Sequence, residues 1–165
     1  MSAVKFSIRE FDTTDFETIH AIDQVCYSPD IAYSRAELHW YLDLRGADCL
    51  IAETPGSARA RRKQIAGFII TARQKLHGHI VTIDVLETYR RAGVGASLLR
   101  RAEAHLLKCG VREVWLETAT DNQAAIAFWE KHGYRTRGRL ANYYPGGLDA
   151  LAMSKVLKGS ASAKS

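Results

Sequence analysis

Three short runs, DCLIAE (48–53), QIAGFIITAR (64–73) and HIVTIDVL (79–86), follow one another closely, and the segment after them has a helical period. Isoleucine, valine and phenylalanine suit a half-buried pleated surface, so each run reads as a strand, and the short links make an antiparallel meander. Val94, Leu98, Ala102 and Leu106 then recur every four residues, opposite Arg100, Arg101 and Lys108, with Gly110 as the stop. A meander feeding an amphipathic helix predicts a mixed α/β (α+β) fold.

The flanking segments fit that scheme. KFSIREF (5–11) alternates as a first strand. Asp12 or Thr13 offers an N-cap, and Phe16, Ile19, Ile22 and Val25 mark a helix that Pro29 stops. Ser34 caps a second helix, with Glu37 completing a capping box. Downstream, VREVWLETA (111–119) is a strand and NQAAIAFWEKH (122–132) a helix ended by Gly133, while YRTRGRL (134–140) and DALAMSKVL (149–157) form a closing hairpin. The 165 residues suit one domain over 1–158, and the small polar tail 159–165 is expected to be disordered.

Composition narrows the class. With 47% hydrophobic and 25% charged residues the chain is a globular protein. The net charge of +5 favours anionic ligands without choosing among them. The basic run ARARRK (58–63) lacks interleaved aromatic residues and reads as a solvated hairpin loop rather than a nucleic-acid patch. Cys26, Cys49 and Cys109 are odd in number and widely spaced, which argues against a disulfide framework or zinc site and fits a reducing cytoplasm. No signal-peptide core and no apolar run of about 18 residues is seen, so neither export nor a membrane partner is expected. His77 and His79 share a strand face if extended, but no third ligand is visible and no metal is expected.

The segment TYRRAGVGASLL (88–99) joins the third strand of the meander to the helix. A glycine-rich approach to a helix N-terminus presents unpaired N–H groups to an anion, and Arg90 and Arg91 add full charges. A dinucleotide fingerprint fails because Leu98 stands at the third glycine and several residues separate Val85 from Gly93. A triphosphate loop fails because the Gly-Lys-Ser/Thr ending is missing.

Arg90-x-x-Gly93-x-Gly95 resembles the acetyl-coenzyme A (acetyl-CoA) motif of the GNAT acetyltransferase superfamily. WLETATDNQAAIAFWEKHGY is similar to that family's next strand and helix, and NYYPGGLDALAM to the ending of its RimI group, which acetylates the N-terminus of a ribosomal protein. The resemblance covers residues 5–158 in element order. It implies the GNAT acyltransferase fold, a mixed, mainly antiparallel central sheet with helices on both faces, and an acetyl-CoA-dependent N-acetyltransferase whose acceptor is a protein α-amine, such as that of a ribosomal protein.

The resemblance also assigns residues. It implies that the pantetheine arm lies along Ile83, Asp84 and Val85, and that the main chain of Arg91, Ala92, Gly93, Val94, Gly95 and Ala96, with Arg90, holds the pyrophosphate. Asn122 matches the family asparagine that contacts the cofactor, Glu117 the RimI general base, and the Val85 N–H would serve the oxyanion. Trp129, expected with Asn122 among the cofactor-binding residues, stands where the group has a tyrosine acid, and an indole N–H donates a hydrogen bond but is no acid near neutral pH. Water or Tyr134, Tyr143 or Tyr144 would supply the proton, or coenzyme A leaves as a thiolate. Tyr143 and Tyr144 in ANYYPGG, with Tyr33 in YSPDIAYS, are the expected acceptor-binding residues. The competing readings are a small-molecule amine acetyltransferase, a non-catalytic acyl-CoA-binding module and, third, a nucleic-acid module.

Overall fold

The strand-rich runs form strands where the side-chain pattern places them. A computed structural model describes residues 3–56 and 62–159. Its strands are β1 (Ser7–Glu10), β2 (Ala47–Thr54), β3 (Gln64–Gln74), β4 (His77–Val85), β5 (Glu113–Ala119), β6 (Arg135–Leu140) and β7 (Ala150–Val156). The helices are α1 (Phe16–Cys26), α2 (Arg35–Asp43), α3 (Val94–Lys108) and α4 (Gln123–Lys131). Residues 58–61 of the basic run lie outside the described residues, as does the tail from 160 onward.

Packing divides the chain into two units: one runs up to Ala72 and resumes over Ile80–Ala102, and the other comprises Arg73–His79 and Glu103 onward. Strand pairing runs in the order β1-β2-β3-β4-β5-β7-β6, with β4 contributing residues to both units.

In the first unit β1 pairs antiparallel with β2, and β2 with β3. Asp12 caps a single 3-10 turn that leads into α1, and Ser34 with Glu37 closes the capping box of α2. The apolar positions of α1 explain its seat: Phe16, Ile19 and Ile22 join Leu38, Ile51, Phe68, Ile70 and Val81 in one buried cluster. Val25, expected on that face, is exposed at the last turn. Gly67 on β3 is required by close approach, because a Cβ there would run into the main-chain oxygen of Asp84.

In the second unit β4 and β5 are parallel, with His77–His79 opposite Glu113–Trp115, while β7 is antiparallel to both β5 and β6. The parallel pair follows from connectivity, since α3 lies between β4 and β5 in the chain and a crossover returns it in the same direction. Gly110, at φ 91°, ends α3 in the left-handed conformation that favours glycine. Leu106, Val111, Val114, Leu116, Trp129, Tyr134 and Met153 are buried.

Two details differ from the sequence expectation. The link after β3 is only Lys75–Leu76, so His77 and Gly78 also belong to the strand that the side-chain pattern begins at His79. The closing hairpin places its later strand inside: β7 buries Ala150, Met153 and Ser154, whereas every residue of β6 is exposed. Three arginines on β6, Arg135, Arg137 and Arg139, suit an edge strand that must not pair further.

Candidate active site

In the first unit β4 passes through a 3-10 turn at Glu87–Tyr89 into the glycine segment and α3. Arg91 at φ 60° and Gly93 at φ 82° are both left-handed, so the chain curls and its successive N–H groups turn inward ahead of the helix. The N–H of Arg90 is used by the Glu87 carbonyl and that of Ser97 by the Gly93 carbonyl. The groups between them are those a helix start leaves without an intrahelical carbonyl. A Cβ on Gly93 would have nothing within 4 Å, which leaves open space over the curl. Arg90 and Arg91 are exposed, and Arg90 Nε donates to the Val85 carbonyl at 2.9 Å.

The carbonyls of alternate β4 residues are already engaged. Tyr33 Oη donates to Val81 O at 3.1 Å, Tyr27 Oη to Ile83 O at 3.0 Å, and Cys26 Sγ lies 3.6 Å from Val85 O. Tyr27 and Cys26 escaped the sequence reading because nothing in their spacing announces a contact with a strand more than fifty residues away. Burial, with the nearby Asp84 adding to it, makes the Tyr27 hydroxyl less acidic than usual. Tyr33 also donates its main-chain N–H to Asp23 Oδ2 at 2.7 Å and sets its ring edge-on to Tyr41. Its hydroxyl therefore anchors the loop between α1 and α2 to β4.

Asp84 is only 1% exposed and turns its side chain inward, where it accepts from Thr82 Oγ1 at 2.6 Å and meets the carboxyl of Asp23, itself 0% exposed. Desolvation pushes the Asp84 carboxyl well above the usual range, and the neighbouring Asp23 pushes it further.

The second unit holds the candidate base. Along β5, Val114, Leu116 and Thr118 are buried and Trp115 and Glu117 are partly exposed on the opposite face, as the two-residue period requires. Glu117 Oε2 lies 2.7 Å from His79 Nε2, with the two side chains 25% and 37% exposed. On the β6–β7 loop the Tyr144 hydroxyl is made less acidic first by burial, then by Tyr143, Glu117 and Asp121. Tyr143 and Tyr144 pack edge to face at 4.9 Å. The loop is shaped by Asp149, which accepts from Asn142 N at 2.9 Å and Arg139 Nε at 2.7 Å, and by a Tyr144 N–H bond to Leu148 O at 3.1 Å.

The remaining assigned residues have local roles. Asn122 caps α4, its side-chain oxygen accepting from Ala125 N at 3.1 Å. Trp129 is 5% exposed, with its ring edge-on to Phe128 and Tyr134 in the core of this unit. Tyr134 donates its buried hydroxyl to Glu103 Oε1 at 2.9 Å, and Lys155 Nζ donates to the same carboxylate. Burial and the Glu103 charge raise the Tyr134 hydroxyl far above its ordinary range, which makes it a poor proton donor to a substrate. Among the described residues no group of three or more His, Cys, Asp or Glu side chains is arranged to hold a metal ion, and no helix is long and apolar enough to cross a membrane.

Comparison with known proteins agrees with this geometry. An N-alpha-acetyltransferase of Sulfolobus acidocaldarius is 41% identical over 81 residues, 48% of this chain and 48% of that protein. The chain spans about half the length of the curated relatives it first matches. The crystal structure of Ard1 from Thermoplasma volcanium has a TM-score of 0.82 at 26% identity, covering 94% of this chain and 100% of that one. The ribosomal-protein-S18-alanine N-acetyltransferase from Escherichia coli gives 0.80 at 26% identity, covering 96% and 99%. The model of the acetyltransferase (GNAT) family matches residues 13–134, from the 3-10 turn before α1 to the end of α4 and just beyond, taking in the curled glycine turn and Glu117. With its motif, its strand order and more than half its length accounted for, the chain belongs to the GNAT acetyltransferase family.

Proposed function

We propose that the protein transfers acetyl from acetyl-CoA to the α-amine of a protein N-terminus, such as that of a ribosomal protein. Acetyl-CoA supplies an activated thioester and a thiol leaving group. The curled turn fits a pyrophosphate: the main chain of Arg91 to Ala96 faces an anion, Arg90 and Arg91 add charge, and Gly93 leaves the approach open. On β4, Val81, Ile83 and Val85 have their carbonyls engaged, so the strand offers main-chain N–H groups to the pantetheine amides and the oxyanion.

Glu117 is the base. An α-amine titrates near ~8 and a lysine near ~10.4, so a weak base suffices for the first and much less readily for the second. Trp129 is committed to the core and Tyr134 to Glu103, so water, Tyr143 or Tyr144 returns the proton to the departing sulfur, or coenzyme A leaves as the thiolate. The observation that favours the N-terminal reading is the Tyr143–Tyr144 pair on the β6–β7 loop of the unit that carries Glu117, an aromatic surface with hydroxyls suited to gripping a peptide.

The test is mass spectrometry after incubation with acetyl-CoA and a panel of peptides and free amines. Acetylation of peptide N-termini is the expected result. Modification confined to polyamines, amino acids or other free amines overturns the peptide acceptor.

A further inference from the structure

His79 was read from the sequence as half of an incomplete metal pair, yet its ring nitrogen Nε2 lies 2.7 Å from Glu117 Oε2. The register explains the contact. His79 faces Trp115 across the parallel pair, and Glu117 lies two residues further along the same face of β5, within diagonal reach of a long side chain. Gly78 holds this stretch of β4 in place, because even a Cβ there would press on Leu106, Val111 and Val114 at 3.2–3.4 Å. The other ionisable groups nearby are His77 and Glu113, paired one step back on the same face, and Tyr144, whose hydroxyl Glu117 makes less acidic.

We propose that His79 is the positioning residue of the base, an inference that rests on Glu117 acting as that base. The neutral imidazole donates its Nε2–H to Glu117 Oε2, fixes the carboxylate and leaves Oε1 for the acceptor. An N–H bond of the acceptor ammonium then breaks as an O–H bond forms at Oε1; the freed nitrogen lone pair forms the C–N bond to the thioester carbonyl carbon, the C–S bond breaks with its electron pair going to sulfur, and the second nitrogen proton passes through water to the departing thiolate, while the proton on Glu117 passes to water when the product leaves. An imidazolium at the same place puts a full positive charge against the carboxylate and weakens it as a base. The active form is therefore neutral His79 with ionised Glu117.

Three variants test this with a peptide acceptor. His79→Ala is expected to lower kcat by roughly 10-fold or more, part of the ~10²–10⁴ that a general base supplies, without changing KM for acetyl-CoA. His79→Gln keeps an N–H at similar reach without a titrating ring, so it should recover most of the rate and extend the acid limb of the kcat profile to lower pH. The double variant His79→Ala/Glu117→Gln should be no slower than Glu117→Gln alone. An unchanged kcat in His79→Ala, an unmoved acid limb in His79→Gln, or losses that multiply in the double variant overturns the proposal.

If Glu117→Gln is slow while His79→Ala is not, only this inference fails. If Glu117→Gln is as fast as the wild type, the base assignment itself fails. Nitrogen-15 NMR of the His79 ring in the otherwise unaltered protein gives a readout free of activity: the tautomer and titration should change in Glu117→Gln, and identical spectra overturn the contact.

Discussion

Asp23 and Asp84 meet carboxyl to carboxyl in the first unit, and neither Asp23 Oδ1 nor Asp84 Oδ2 has an N–H or O–H donor from another group among the described residues. Two buried carboxylates in contact would repel strongly, whereas one proton between them satisfies both oxygens. Burial raises both groups, and the pair holds one proton between them.

The sign of the pH dependence follows. The folded state binds a proton that an unfolded aspartate releases near ~3.9, so this contribution is complete at low pH and is lost as pH rises towards the folded-state value. Within that window the slope is about 1.4 kcal/mol per pH unit for one proton. Asp84→Asn supplies a permanent N–H to Asp23 and still accepts from Thr82. It should match the wild type near pH 5 and melt at higher temperature near pH 9; curves that stay parallel across that range would refute the shared proton.

Glu117→Gln removes the base while keeping its shape. The expected loss is roughly 10²–10⁴-fold in kcat, with coenzyme A affinity by calorimetry nearly unchanged. A fall in affinity as large as the fall in rate would place Glu117 in donor binding instead.

Tyr144→Phe deletes a hydroxyl of the β6–β7 loop and keeps the ring against Tyr143. Loss of one hydrogen bond to a peptide is worth about 1 kcal/mol, or roughly 5-fold in KM for the peptide. Steady-state kinetics should show that rise with little change in KM for acetyl-CoA.

Gly93→Ala puts a side chain at φ 82° with free space around its Cβ, so its cost is conformational rather than steric. About 1–2 kcal/mol of stability should be lost in urea unfolding, with weaker coenzyme A binding as the curl relaxes. Unchanged binding would remove the turn from the pyrophosphate site.

Tyr134→Phe leaves Glu103 paired with Lys155 and removes one buried hydrogen bond. A loss of about 1 kcal/mol in urea unfolding is expected, with an unchanged kcat. A large fall in kcat would show that this hydroxyl takes part in the reaction.

The elements were legible because their signals are local. Side-chain period wrote β2 to β5 and α3 into the chain, capping residues such as Asp12 and Ser34 marked helix starts, and the arginine–glycine segment carried the family motif. Glu117 was reachable too, since its strand period and its motif sit in one stretch of chain.

Contacts between distant segments were not legible. His79 on Glu117, Asp23 on Asp84, Tyr27 on the Ile83 carbonyl and Tyr134 on Glu103 each join residues 31 to 61 positions apart in the chain, and no local pattern encodes such a pair. They arise from strand register and helix docking, which depend on how whole faces bury their apolar area. The sequence by itself determined the elements, the family and the residue types available for chemistry. Only the tertiary structure decided which of those side chains are neutralised in the core, as Trp129 and Asp84 are, and which are paired on an accessible face, as His79 and Glu117 are, because burial and partner distance are properties of the packed chain.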